Sequence, residues 1–208
     1  MKIFLCGQKH FARGVLKRIT TLPGVVITGV AAPAGRDSFR DEAERMGVPV
    51  MDAEKRSAFT LPRGVDLIVC AHSHQFIGEA TRLRARYGGI GFHPSLLPLY
   101  RGRSAIEWVI KLGDRVTGGT VYQLSNTVDG GSILGQRHVL VSCKDSVTTL
   151  WRDKLQPLGV TLLAEAVVEI RRAGFIYGDA QDESLATWFP SMVRMPLVRP
   201  DLKLLESH

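Results

Sequence analysis

The chain holds only three cysteines in 208 residues, Cys6, Cys70 and Cys143. A disulfide framework needs an even, clustered set and structural zinc needs closely spaced pairs, so neither is expected. Each cysteine lies in or beside an apolar, β-like run, which predicts free buried thiols. Long hydrophobic runs are also missing, and nothing approaches the ~20 apolar residues of a membrane span. The opening MKIFLCGQKHF is too short an apolar stretch for a signal peptide and has no small-residue cleavage site after it. The expectation is a cytoplasmic protein without a membrane partner. Low-complexity tracts, charge blocks and internal repeats are absent, which argues against disorder and against a repeat array. The turn after the first predicted strand, Gly7-Gln8-Lys9-His10, lacks the three-glycine fingerprint, which disfavours a dinucleotide.

What the chain does have is core material, with 45% hydrophobic and 23% charged residues. That suits one globular domain with a short appendage. The 27 Lys and Arg against 20 Asp and Glu leave a net charge of +7. Such a balance attracts a polyanion such as tRNA, or a smaller phosphorylated ligand. The basic residues are scattered, with small clusters at Arg82, Arg84 and Arg86 and at Arg101 and Arg103. No basic stripe is interleaved with aromatics as in single-strand binders. An anionic ligand is favoured over a neutral one, with a solvated basic surface as the plain alternative.

Strand and helix patterns alternate through the first half. Lys2 to Cys6, Val25 to Ala31, Gly47 to Val50, Val65 to Ala71 and Gly89 to Phe92 read as strands. Between them, Phe11 to Thr20, Ser38 to Met46 (with Asp37 as N-cap) and Gly78 to Tyr87 read as helices. This rhythm predicts an α/β fold, a mostly parallel central sheet with helices on both faces. Such sheets bind ligands beyond the carboxyl ends of their strands. Those ends carry Gly7-Gln8, His72-Ser73-His74 and His93-Pro94-Ser95. Ser104 to Leu112 follows as a helix, then strands Gly118 to Leu124 and Ile133 to Val141 around a polar loop, Ser125 to Ser132. Asp145 to Ala173 is a long amphipathic segment in which Pro157 and Gly159 predict a break near the middle.

The stretch Gly91-Phe92-His93-Pro94-Ser95-Leu96-Leu97-Pro98-Leu99-Tyr100-Arg101-Gly102 resembles the signature of folate-dependent formyltransferases, an Asn-x-His followed by a Ser-Leu-Leu-Pro loop. Downstream, Val128-Asp129-Gly130-Gly131-Ser132-Ile133-Leu134-Gly135-Gln136 resembles the second motif of that family, an aspartate opening a loop that ends in Gln. The two motifs in this order are specific; either alone is weaker. The similarity covers about 1–173, taken as a catalytic domain, and 174–208 is expected to be a C-terminal extension packing on the core. Within it, Gln181 to Thr187 resembles a segment that follows the core in sugar N-formyltransferases. The family includes glycinamide ribonucleotide, methionyl-tRNA and sugar-nucleotide enzymes. The resemblance implies a Rossmann-like formyltransferase fold, 10-formyltetrahydrofolate as formyl donor, and no metal.

The reaction explains the residues. An amine attacking a formyl carbon creates an oxyanion and a cationic nitrogen that must lose a proton. Protonated His93 would stabilise the oxyanion and protonate the folate leaving nitrogen. Asp129 would be its partner and accept the amine proton, directly or through water. The resemblance places folate along two loops, with His74, Gln75, Phe76 and Ile77 on one and Leu124, Ser125, Asn126, Thr127 and Val128 on the other. Gln8, Ser95, Arg101 and Arg103 are candidates for the acceptor, against a solvated loop for the two arginines. His72 and His74 have strand spacing for a metal pair, but with no acidic residue near they read better as lining residues.

One departure stands out. The family's asparagine is Gly91 here, and losing one oxyanion donor costs on the order of a hundred- to a thousandfold in rate. Water or a backbone N–H can fill the space, another side chain such as Asn126 or His74 can reach in, or the chain can be a weakened folate- or nucleotide-binding module. The first two keep an enzyme with a small anionic amine acceptor. An amino sugar nucleotide is favoured over methionyl-tRNA, whose enzymes carry a further C-terminal domain for which the length leaves no room. Glycinamide ribonucleotide, a hydroxylated amino acid and an oligomeric assembly stay open.

Overall fold

The apolar runs of the first half become the middle of one seven-stranded sheet. In the computed structural model, which describes residues 1–53, 61–73 and 76–192, the strands are β1 (Lys2–Gly7), β2 (Val26–Ala32), β3 (Val50–Asp52), β4 (Leu67–Ala71), β5 (Gly89–His93), β7 (Val116–Gln123) and β8 (Ile133–Leu140). Their order across the sheet is β3-β2-β1-β4-β5-β7-β8. The first five run parallel; β7 and β8 are antiparallel. A separate two-stranded pair joins β6 (Arg101–Gly102) to β9 (Trp188–Phe189).

All five residues of β4 are buried, as expected of a strand covered on both faces. One face packs against α1 (Lys9–Thr20), α2 (Ser38–Arg45) and α6 (Gln156–Ala173), whose apolar stripes share a single core cluster with Ile3, Leu5, Val69 and Ile90. The other face holds a smaller cluster around Phe4, Cys6, Ile68 and Cys70, covered by Leu61, Val65, Ile77 and Ala85. Cys6 and Cys70 are thus buried thiols, but Cys143, in the turn after β8, is exposed. Polar neighbours Ser142 and Lys144 carry that turn past the end of the strand, so the apolar run does not include its thiol.

Two expected helices differ in extent. The segment 78–87 gives only α3 (Glu79–Arg82). The amides of Arg86 and Tyr87 bond instead to the Val65 and Asp66 carbonyls, which draws the chain out of the helix and into β5. Further on, α5 (Val147–Thr149) runs into a π-helical turn, Leu150–Leu155, and then α6. Pro157 lies in the first turn of α6, where its missing N–H costs no bond. The irregularity is therefore the π turn before the proline, and 156–173 continues unbroken.

Strand order reverses at β1, between β2 on one side and β4 on the other. Beside that point the carboxyl ends of β4 and β5 open into one crevice. Asp37 ties α2 to the turn into α1: the carboxylate caps α2 through Phe39 N and Arg40 N at 2.9 and 3.3 Å, and takes Lys9 N at 2.9 Å. Asp37→Ala should lower stability by about 1–3 kcal/mol, a lost cap plus an orphaned amide. Urea denaturation checks this, with Asp37→Asn expected to lose less; equal loss by both would show that the acceptor oxygens are not what matters.

Candidate active site

His93 is the last residue of β5 and is nearly buried, at 5% exposure. Its Nε2 lies 2.7 Å from the Tyr100 carbonyl. A carbonyl only accepts, so Nε2 carries a proton and Nδ1 is the nitrogen left for chemistry. Nδ1 faces Asp129 Oδ2 at 3.5 Å. A proton on Nδ1 turns two facing acceptors into a charge-assisted pair. The loop that supplies the Tyr100 carbonyl is itself pinned. Ser95 is fully buried and donates to the Leu99 carbonyl, while Gln136 from β8 donates to the Leu97 carbonyl and to Thr120.

Asp129 sits in left-handed backbone, φ 52°, a conformation that aspartate tolerates better than most residues. Gly131 follows because a Cβ there would come within 1.7 Å of the Gln123 carbonyl oxygen. The Asp129 carboxylate accepts from Gly102 N at 2.8 Å on Oδ2 and from the Tyr122 hydroxyl at 2.6 Å on Oδ1. Burial, and then the charge of Asp129, push the Tyr122 phenol well above its ordinary value. Burial likewise raises Tyr100, whose hydroxyl donates to Asp114.

Both loops are held by the segment after α6. Gln181 donates to the carbonyls of Asp129 and Gly131, 2.7 Å each. Its own oxygen accepts from Arg101, whose guanidinium also grips Glu183 through two bonds. That pairing holds the Glu183 carboxyl below its usual range. Thr187 accepts from Tyr100 N and Arg101 N. One short stretch thus fixes the loop behind His93 and the loop that carries Asp129.

His93, Gly91, Tyr122 and Asp129 share the wall of a cavity of about 930 Å³, a size typical of small-ligand sites. Of the residues expected to meet folate, Phe76, Ile77, Leu124, Ser125, Thr127 and Val128 line it. His74 and Gln75 lie outside the described residues. Asn126 is turned to Arg82 and Glu79 and is not in the wall. Arg103 is exposed and reaches the cavity; Gln8, Ser95 and Arg101 do not line it. Arg101 is 1% exposed and belongs to the Gln181 and Glu183 tie. Sequence reading missed Tyr122, Gln181 and Trp151, the last carried into the cavity by the π turn. For Gln181 the signal was present, since it opens the tail segment singled out above.

A family model described as formyl transferase matches residues 27–167. The chain belongs to the formyl transferase family. Among its relatives, the methionyl-tRNA formyltransferase of Halalkalibacterium halodurans is 33% identical over 93% of this chain and 65% of its own length. The chain thus spans a little under two thirds of that relative. A solved glycinamide ribonucleotide transformylase 1 from Symbiobacterium toebii shares the formyl transferase fold with a TM-score of 0.74 at 20% identity, over 88% of this chain and 94% of its own. An N-formyltransferase from Helicobacter canadensis, solved with folinic acid and dTDP-3-aminofucose, matches with a TM-score of 0.74 at 16% identity, over 91% and 70%. Among the described residues no helix is long and apolar enough to cross a membrane.

The two raised phenols make an alkaline prediction. Native Tyr122 and Tyr100 keep protons that the unfolded chain releases near pH 10.0. The unfolded state then binds fewer protons than the native one, so stability falls as pH climbs past that value. Urea midpoints should drop more steeply above about pH 10 in the wild type than in Tyr100→Phe/Tyr122→Phe. Parallel curves would show that neither phenol is linked to folding.

Proposed function

We propose that this chain transfers the formyl group of 10-formyltetrahydrofolate to a primary amine of a small, anionic acceptor. The observation that carries the reading is the pairing of His93 Nδ1 with Asp129 Oδ2, 3.5 Å apart in a cavity wall, from positions 36 residues apart in sequence. With Nε2 spent on the Tyr100 carbonyl, Nδ1–H is the donor for the oxyanion that forms as the amine adds to the formyl carbon. As the carbon–nitrogen bond to folate breaks, the same proton goes to the leaving nitrogen. Asp129 takes up the positive charge the amine sheds and holds the imidazole in register.

The wall from Phe76 and Ile77 to Leu124 and Val128 suits the flat pterin, and the Helicobacter canadensis relative, with folinic acid bound, supports folate as donor. Arg103, exposed at the same cavity, favours an acceptor bearing phosphate, and an amino sugar nucleotide is the first choice. Methionyl-tRNA is the second reading, favoured by the 33% identity to the Halalkalibacterium enzyme.

Tetrahydrofolate release should be measured with 10-formyltetrahydrofolate and four acceptor classes: amino sugar nucleotides, glycinamide ribonucleotide, methionyl-tRNA and N-hydroxylated amino acids. One class should turn over, and His93→Asn or Asp129→Ala should each lower kcat by about a hundredfold or more. Folate binding without turnover for any class would instead support a weakened binding module, the reading that Gly91 keeps open.

A further inference from the structure

Tyr122 on β7 pairs directly across from Gly91 on β5, and the two positions share one space. A Cβ built on Gly91 would lie 3.3 Å from two atoms of the Tyr122 ring and 3.1 Å from Leu124 Cδ2. In a close-packed wall, the ring therefore takes volume that a longer side chain at 91 would need. The hydroxyl at its end donates to Asp129 Oδ1 at 2.6 Å.

The surroundings of Asp129 give that hydroxyl a task. A carboxylate offers about four acceptor directions on its two oxygens. On Oδ2, one goes to Gly102 N and another faces His93 Nδ1. Oδ1 is approached through the phenol, whose own oxygen keeps lone pairs for a donor in the cavity. The geometry points to Tyr122 as a proton relay: the surplus proton of the attacking amine passes to the phenol oxygen while the phenol proton passes to Asp129 Oδ1. This rests on the formyl-transfer reading above.

The step balances. An N–H bond breaks and leaves its electron pair on nitrogen, a phenol O–H forms as the old one breaks, and an O–H forms on Asp129. Nitrogen loses its positive charge and the carboxylate its negative one. Tyr122 is neutral before and after, so the relay never needs a phenolate. That agrees with a phenol held in its protonated form by burial and by Asp129. Once His93 has protonated the folate nitrogen, the Asp129 carboxyl gives its Oδ1 proton back through the phenol to water in the cavity and Nδ1 takes one proton from water, which restores the starting state.

The test uses the full chain with 10-formyltetrahydrofolate and the acceptor it turns over. Tyr122→Phe keeps the ring and removes the relay, so kcat should fall about a hundredfold while KM for both substrates changes little. In mixtures of light and heavy water, the wild-type kcat should follow a curved dependence, from two protons in flight, and the variant a linear one. Gly91→Asn crowds the Tyr122 ring, shifts its hydroxyl relative to Asp129 and should also lose activity; folate binding shows that each variant is folded. The relay is overturned if Tyr122→Phe retains kcat, if both proteins give the same solvent dependence, or if Gly91→Asn matches or exceeds the wild type. In each of those results the wild type still transfers formyl, so the functional reading survives. A wild type inactive with every amine would bring down that reading, and the relay with it.

Discussion

The site depends on one carboxylate receiving three groups from three parts of the chain. Asp129 faces the imidazole at the end of β5, accepts the hydroxyl of Tyr122 on β7 and takes the amide of Gly102 in β6. The amide and the hydroxyl donate to it, the imidazole faces it, and none of the three is a lysine or arginine. A carboxylate held this way is fixed in place in the cavity wall. Remove it, and three elements lose their common acceptor.

The sheet explains why these groups meet. β7 runs antiparallel to β5, so residues opposite one another share a face, and Gly91 opposite Tyr122 leaves the ring room that a side chain at 91 would crowd. The missing amide and the tyrosine are therefore one packing decision. His93 lies two residues beyond Gly91, on the same face by strand alternation, and projects from the strand end into the crevice. The turn after it is pinned by Gln136 and Ser95, and the tail adds Gln181 and Thr187. The imidazole owes its fixed position to these ties, because a loop without them would let it wander.

Much of this was legible in the sequence, for physical reasons. The core strands announced themselves because a strand buried on both faces must be apolar throughout, as in Leu67–Ala71. His93 and Asp129 were legible as a pair only through the two motifs; neither residue alone separates a catalyst from a turn. Tyr122 was invisible, because an aromatic in a strand is ordinary and its meaning comes from the antiparallel register with β5. The shortened α3 was hidden for the same reason: the competitors for its amides, the Val65 and Asp66 carbonyls, are far away in sequence. Local pattern reports what a segment can do, and distant partners decide between the options.

Arg101 and Arg103 show the same limit in electrostatic form. They flank one glycine and contribute equally to the +7 charge, yet their environments are opposite. Arg101 is buried against Trp188 and spends its guanidinium on Gln181 and Glu183, whereas Arg103 stands exposed at the cavity. A buried guanidinium needs such partners, since breaking a buried pair leaves an uncompensated charge. Net charge therefore overstates what a ligand can feel: part of it is an internal fastening that holds the Asp129 loop. The charge that a molecule entering the cavity meets is the charge left at the rim, and between these two arginines that is Arg103.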